Sequence, residues 1–387
     1  MAAHEAVIAI GGNTGNRLAN LRQGLQLLVD HGIEVLRKSR LYETAPELVT
    51  DQPAFLNAAV AVKTELAPHE LLHSLKDFEA ALGRQAGGQR YGPRPLDLDI
   101  IFHDHSRLDD EALTIPHARW QERAFVLAPV NDLYTPQEFG QEGIGPDLQA
   151  AHKLWQQWGG ESLVGKPGLQ AVLPLGGADG RLWPWRERTQ VMAVLNLTPD
   201  SFSDGGQIST LGEAVLAARQ AVAQGADIID IGGQSTRPNA ARLDAATECS
   251  RIIPAIRAMA SDAQLRNAVL SVDTFQAESP ANTTYQDICA DVGTELQAAA
   301  DKAMAAGIEP WSLILDPGIG FAKTLEGNAS LIVGLQRVRG QLQGCLQGMP
   351  LMMGTSRKGF LGKITGRKDP TERDTATAAT LGLADQV

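Results

Sequence analysis

Two domains of different grammar are predicted: an α+β sandwich, then an α/β domain built on parallel strands. Three observations predict them. Before residue 133 strands and helices mix, and one strand, Phe55–Thr64, alternates through Ala59 and Ala61, a period of two. After residue 189 short, nearly continuous apolar runs recur between helical patterns, as in strands covered on both faces. Between them, residues 134–188 are rich in glycine and proline, hold no period, and read as a linker with short elements. The predicted boundaries are therefore 1–133, 134–188 and 189–387.

In the first domain Ala6–Ile10 is a strand that Gly11-Gly12-Asn13 ends. Arg17–His31 is a helix with Leu18, Leu21, Leu25 and Leu28 at helical spacing. Ile33–Thr44 and Phe55–Thr64 are strands, Leu71–Leu82 is a helix introduced by Pro68, and the helices are expected on one face. In the linker, Trp155, Trp158, Trp183 and Trp185 point to interdomain packing. In the second domain Val191–Leu197, Asp227–Gly232, Val269–Asp273, Ser312–Asp316 and Pro350–Gly354 are strands. Helices Leu211–Gln224, Thr247–Ala260, Ile288–Ala306 and Leu331–Leu342 separate them. Each strand ends in polar residues: Asn196, Ser235-Thr236-Arg237, Asp273, Asp316 and Ser356-Arg357-Lys358. In parallel α/β folds function collects at that rim, so polar ends in phase read as a site rather than as helix caps.

The sharpest chemical signal lies in the run Arg94-Pro95-Leu96-Asp97-Leu98-Asp99-Ile100. Strand alternation sends Leu96, Leu98 and Ile100 to one face and both carboxylates to the other, with Cα atoms roughly 6.6 Å apart. Like charges side by side call for a cation, and Mg²⁺ carrying a polyphosphate is the natural one. A bare Asp-x-Asp is more often a solvated strand face. The preceding segment, Gly83 to Arg94, decides otherwise: glycine-rich, with Arg84, Arg90 and Arg94, it suits a cationic lid over an anion. Lid and carboxylates together make a phosphoryl-transfer arrangement, and the sequence contains no P-loop. His103 and His105, just beyond this strand, read as surface residues.

Composition narrows the remaining classes. A formal net charge of −11 over 387 residues argues against nucleic acid and anionic membranes as partners. Three widely spaced cysteines exclude a disulfide framework and a cysteine-rich zinc site. No apolar run approaches ~18–20 residues. The start runs straight into a strand, so a cytoplasmic protein is expected, or an organellar one if a presequence is missing.

The first domain resembles 6-hydroxymethyl-7,8-dihydropterin pyrophosphokinase in four stretches: Gln52-Pro53-x-Phe55-Leu56-Asn57-Ala58, Arg90-Tyr91-Gly92-Pro93-Arg94-x-Leu96-Asp97-Leu98-Asp99-Ile100, Ile115-Pro116-His117 and Glu122-Arg123-Ala124-Phe125. The resemblance implies a ferredoxin-like fold and pyrophosphate transfer from ATP to the pterin hydroxymethyl group. It implies Asp97 and Asp99 as Mg²⁺ ligands, and Arg84 and Arg94 on the transferring group. Arg90, His117 and Arg123 would hold the nucleotide, and Thr44, Phe55, Asn57 and Phe125 the pterin. Tyr91, Ala45 and Ala86 depart mildly from the family pattern.

The second domain resembles dihydropteroate synthase, a TIM barrel, through Asn196-Leu197-Thr198-Pro199-Asp200-Ser201-Phe202, Gly232-Gly233-x-Ser235-Thr236-Arg237-Pro238, Ser271-Val272-Asp273-Thr274-Phe275, Asp316-Pro317-Gly318-x-Gly320-Phe321 and Thr355-Ser356-Arg357-Lys358-Gly359-Phe360. The implied reaction joins the pterin pyrophosphate to 4-aminobenzoate. Asp273, Asp316, Phe321 and Lys358 would hold the pterin, with Lys358 catalytic. Asn196 would bind Mg²⁺ on the leaving pyrophosphate, Thr236 and Arg237 belong to a loop, and Ser356 would lie near the aminobenzoate. Against the family pattern, the passage from Phe275 to Asn282 skips two strands, and the chain ends before a third. Strands four, five and eight are thus expected to be absent, leaving an incomplete barrel with edges that could pair in a homo-oligomer. Two readings follow: a bifunctional folate enzyme whose second activity is impaired, or an active pyrophosphokinase fused to a non-catalytic pterin-binding or assembly module.

Overall fold

The computed structural model describes residues 3–84, 91–139, 145–175, 180–197, 210–233, 243–272 and 285–384. Contacts divide the chain into two compact units. One joins Met1–Leu173 to Pro280–Val387, and the other is Pro174–Ser279.

The first unit is built on an antiparallel sheet. Its elements run β1 (His4–Gly12), α1 (Arg17–Asp30), β2 (Glu34–Lys38), β3 (Leu41–Thr44), β4 (Phe55–Thr64), α2 (Pro68–Ala81) and β5 (Asp97–His103). The order β5-β1-β4-β3 with helices after β1 and β4 is the ferredoxin-like β-α-β-β-α-β arrangement. Pro68 occupies the first turn of α2, where its missing N–H costs nothing, and Glu70 accepts from the backbone N–H of Ala67. The expected strand 33–44 is split, because Ser39 interrupts it. The Ser39 hydroxyl takes the Ala59 N–H in place of a ladder partner, and both pieces pair with β4.

Helices cover both faces of this sheet, not one. Gly24 of α1 packs on Ile10 and Leu96, while α3 (Ala124–Asp132) packs on β4 and β1 from the opposite side. Much of the predicted linker belongs to this second layer. The short α4 (Pro136–Phe139) and α5 (Pro146–Trp158) lie beside α3, and β8 (Gln170–Pro174) extends the sheet on β3. Two-residue strands β6 (Leu108–Asp109) and β7 (Thr114–Ile115) pair apart from it. Trp155 is buried in that core, whereas Trp158 is exposed.

Arg40 locks these layers together. It is 5% exposed and reaches Asp132 of α3 through its backbone N–H at 3.0 Å and through Nη2 at 2.7 Å. Its other edge meets Glu161 at 2.7 and 2.8 Å, and the Tyr42 hydroxyl donates to Asp132 at 2.8 Å. Burial works against the Arg40 charge, but Asp132 and Glu161 more than offset it, and its pKa lies well above the usual value. The 344–348 turn closes over the guanidinium: a Cβ on Gly348 would lie 1.5 Å from Arg40 Nη1.

The C-terminal segment of this unit is helical: α8 (Ile288–Ala305), α9 (Leu325–Val333), α10 (Leu335–Arg339), α11 (Gly359–Thr365) and α12 (Asp374–Ala384), numbered after two helices of the other unit. The single helix expected over 331–342 is broken at Gly334, which is pressed against Cys289. The strands expected at 312–316 and 350–354 shrink to one parallel bridge, Leu315 with Leu351. A lone parallel pair has no neighbouring strand to extend its ladder.

The second unit holds the short β9 (Leu182–Trp183) and three parallel strands in the order β10 (Met192–Asn196), β11 (Ile228–Gly232) and β12 (Val269–Ser271). Helices α6 (Leu211–Ala223) and α7 (Ala245–Ala260) connect them, so three of the five predicted strands form. Their core joins Leu195, Ile229 and Ile231 to Ala218, Ile252 and Met259. Among the described residues no helix is long and apolar enough to cross a membrane.

Replacing Arg40 by Met leaves the buried Asp132 carboxylate without its cation. The expected loss is ~3–5 kcal/mol of unfolding free energy, read from urea denaturation. A loss no larger than that of a surface substitution would refute the role given to Arg40.

Candidate active site

Sheet register explains how one face becomes a cleft. Asp97 pairs with Gly11 and Asp99 with Ala9 on β1, while Gly11 pairs with Asn57 on β4. Directly opposed residues share a face, so Asp97, Asp99, Gly11, Ala9, Asn57 and Phe55 point the same way. The floor is low because β1 contributes only small residues there. It cannot be otherwise: a Cβ on Gly11 would lie 2.4 Å from Asn57 Oδ1, and one on Gly12 would lie 2.2 Å from the Pro95 carbonyl. Thr44, Tyr91, Arg94, Arg123 and Phe125 complete the walls.

The carboxylates sit among cations. Arg94 Nη2 bonds Asp97 Oδ2 at 2.8 Å, and Arg84 Nη1 bonds Asp97 Oδ1 at 2.5 Å. Desolvation, and after it the charge of Asp97, pushes the Asp99 carboxyl up to about 7. Buried Glu79 was not foreseen from sequence. It takes the Leu98 N–H at 2.7 Å and Lys76 at 2.8 Å and forms an ion pair with Arg84 at 2.6 Å, and so holds both the start of β5 and the arginine at the root of the lid segment. The signal was available: Leu71, Leu75, Phe78 and Glu79 lie on one stripe of α2, and a carboxylate on an apolar stripe needs a buried partner.

Opposite the carboxylates lies a flat, aromatic-edged slot. Asn57 donates to Thr44 Oγ1 at 2.7 Å, which fixes the amide and leaves its oxygen over Gly11. Arg94 lies over the Phe55 ring at 5.2 Å and Arg123 over Phe125 at 5.4 Å. Nε of Arg94 and Nε of Arg123 are both buried without a hydrogen-bond partner. Orphaned guanidinium nitrogens on residues that line the cleft suit an anionic ligand.

Asn13 ties the two loops that frame the cleft. Its side chain accepts from the Arg94 N–H at 2.8 Å and donates to Gln52 Oε1 and the Pro53 carbonyl, both at 3.0 Å. Gln52 then donates to the Tyr91 carbonyl at 2.9 Å. At the far edge the Arg119 N–H points at His117 Nδ1 at 3.3 Å, so the proton of the neutral ring belongs on Nε2. Burial, and next Arg123, lowers the His117 pKa.

The expected residues of the first site thus meet at one sheet face, except His117, which is not among the cleft-lining residues, and Arg90, which lies outside the described residues. His103 is a correction. It is 1% exposed, not a surface residue, because it ends β5 beneath Leu66; His105 is exposed as expected.

The second set is described unit by unit. Thr236, Arg237 and Asp273 lie outside the described residues. Asn196 is exposed at the end of β10 in the second unit. In the first unit Lys358 Nζ stands 3.7 Å from the Phe321 ring centroid, and Gly320 gives it room, since a Cβ there would meet the Lys358 chain at 2.8 Å. Asp316 Oδ1 takes the Gly318 N–H at 2.8 Å, and Ser356 is exposed.

Residues 7–135 match the family model described as 7,8-dihydro-6-hydroxymethylpterin-pyrophosphokinase. Residues 192–281 and 277–387 match that of pterin binding enzyme. An Arabidopsis thaliana folate synthesis bifunctional protein is 40% identical over 440 aligned residues, covering 97% of this chain and 89% of that protein. A mitochondrial folate synthesis bifunctional protein of Pisum sativum is 39% identical, covering 97% and 84%. Plasmodium falciparum HPPK-DHPS solved with pteroate shares the fold, with a TM-score of 0.69 at 16% identity over 99% of this chain and 92% of that one.

The raised Asp99 pKa has a defined sign. The folded protein holds that proton more tightly than the unfolded chain, so the group opposes folding increasingly from about pH 4 to about pH 7. In chelator, Asp99→Asn is expected to raise the urea midpoint at pH 8 and to leave it nearly unchanged at pH 4. An equal shift at both pH values would contradict the assignment.

Proposed function

The chain belongs to the family of bifunctional folate-synthesis proteins, and on that premise we propose residue roles for its two sites. It is a transferase of folate biosynthesis. It moves pyrophosphate from ATP to 6-hydroxymethyl-7,8-dihydropterin, then condenses the pterin pyrophosphate with 4-aminobenzoate to form 7,8-dihydropteroate. Likeness to bifunctional relatives across both segments disfavours a non-catalytic second module.

One observation carries the reading of the first site: acid pair, guanidinium groups and aromatic slot share a single sheet face. Asp97 and Asp99 would hold Mg²⁺, whose chemistry there is to neutralise the ATP phosphates. The all-oxygen donor pair beside orphaned Arg94 and Arg123 nitrogens supports that fit. Arg84 and Arg94 take the transferring group, where charge spreads over its oxygens. His117, through Nε2–H, and Arg123 hold the nucleotide, with Arg90. Asn57, oriented by Thr44, reads the pterin edge, and Phe55 and Phe125 face its ring. Small molecules are thus the partners; a homo-oligomer through the second segment remains the matching proposal for its strand edges. The relatives named as mitochondrial support an organellar compartment over the cytoplasm.

For the second site Asp273, Asp316, Phe321 and Lys358 bind the pterin, Asn196 a Mg²⁺ on the leaving pyrophosphate, Thr236 and Arg237 the loop, and Ser356 the aminobenzoate. Lys358 over Phe321 supports this. The synthase segment lacks internal elements near residues 275–282. Two supports are the pterin-binding match, in two stretches that overlap there, and an alignment of 440 positions against a chain of 387 residues.

Asp97→Ala and Asp99→Ala are each expected to lower Mg²⁺-dependent ATP consumption with the hydroxymethyl pterin by roughly a thousandfold or more, with an unchanged circular dichroism spectrum. Retained turnover in either variant sinks the metal assignment. With preformed pterin pyrophosphate, dihydropteroate formation is expected to run well below that of the Arabidopsis relative. Equal turnover would overturn the proposed internal gap. For pH, protonated Asp99 must release its proton to solvent for an ion to bind, so apparent Mg²⁺ affinity should rise up to about pH 7 and level off above it. A flat profile from pH 5.5 to 8 would contradict this.

A further inference from the structure

We propose that His4, His103 and Asp104 form a transition-metal site of the Zn²⁺ class, separate from the pyrophosphokinase cleft. One ligand atom from each residue lies within 4.8 Å of the others. His4 Nδ1 stands 2.6 Å from Asp104 Oδ2, and the two imidazole rings have centroids 5.0 Å apart.

The decisive atom is His103 Nδ1. Nε2 of the same ring lies 3.1 Å from the Leu66 carbonyl, an oxygen that only accepts, so Nε2 carries the proton. Nδ1 is then a bare lone pair, and it is buried with no hydrogen-bond partner, in a residue 1% exposed. A ligating histidine that donates its other N–H to a backbone carbonyl is the usual outer support of a metal centre. Asp104 is held for the same task. Its Oδ1 takes the Glu5 N–H at 2.7 Å, and its own N–H donates to the Glu5 carbonyl at 2.8 Å, which leaves Oδ2 for His4 or an ion.

Ligand chemistry separates this site from the cleft. Two imidazoles and one carboxylate suit Zn²⁺ or Co²⁺, with water in a fourth place, whereas Mg²⁺ prefers oxygen alone. A tetrahedral ion at ~2.0–2.2 Å from each donor sets them roughly 3.4 Å apart. The His4–Asp104 hydrogen bond would open and the wider spacing would close, a change that rotation of the half-exposed His4 ring supplies. Asp97 and His103 are the two ends of β5, roughly 20 Å apart at strand rise. Loading would staple the first strand to the end of β5.

The test is a titration of the full chain with Co²⁺ and then Zn²⁺ in saturating Mg²⁺, followed by visible absorption. One equivalent of Co²⁺ with intense tetrahedral bands, displaced by Zn²⁺, is expected. His4→Ala and Asp104→Asn should each weaken uptake by roughly tenfold or more and leave pyrophosphokinase turnover unchanged. Asn tolerates the left-handed backbone at this position (φ 44°), which keeps the second variant folded. Absence of tetrahedral bands, or uptake unaltered in both variants, would overturn the proposal.

Discussion

The Arg40 ion network is the constraint on which the rest of the first unit depends. A guanidinium 5% exposed is tolerable only because two carboxylates bond it, one of them held in turn by the Tyr42 hydroxyl. Those partners come from separate stretches of chain: Tyr42 from β3, Asp132 from α3, and Glu161 from the turn after α5. Each layer over the active face of the sheet is thereby referred to one cation. Val126 and Phe125 of α3, which wall the cleft, inherit their position from Asp132 on the same helix.

Much of this was legible in the sequence where a period or a close motif existed. Phe55–Thr64 forms with the ends expected, and the carboxylate pair projects where strand alternation sends it. Residues 134–173 were not legible as part of the first domain. Their fold depends on burying Trp155 and pairing β8 with β3, long-range contacts that leave no local pattern. Glu79 was missed for the opposite reason: its pattern was present, but the helix Leu71–Leu82 was read for its extent alone. His103 was misjudged because polarity was read without the alternation that buries the end of β5.

The second segment marks the limit of strand reading. Apolar runs at 312–316 and 350–354 have the composition of buried strands, yet they manage one bridge. Composition reports what a segment could pair with, and pairing needs a neighbour. Three runs that follow one another through helices 211–223 and 245–260 supply each other with neighbours and form a sheet. Of the residues proposed for the site of this segment, Lys358 and Phe321 meet in one unit and Asn196 ends a strand in the other.

The Glu79–Arg84–Asp97–Arg94 chain of ion pairs has a consequence for charge balance at the cleft. Acids Glu79, Asp97 and Asp99 are matched by bases Lys76, Arg84 and Arg94, so the group is neutral overall when all are ionised. Proteins that must bind both a metal and a polyphosphate face a dilemma, since either set of ligands alone repels itself. Here the acids proposed for the metal and the arginines proposed for the polyphosphate act as each other's counter-ions. Under the proposed roles, cation and anion would arrive as an exchange of partners, in which the incoming complex takes both sets and their mutual pairing is given up.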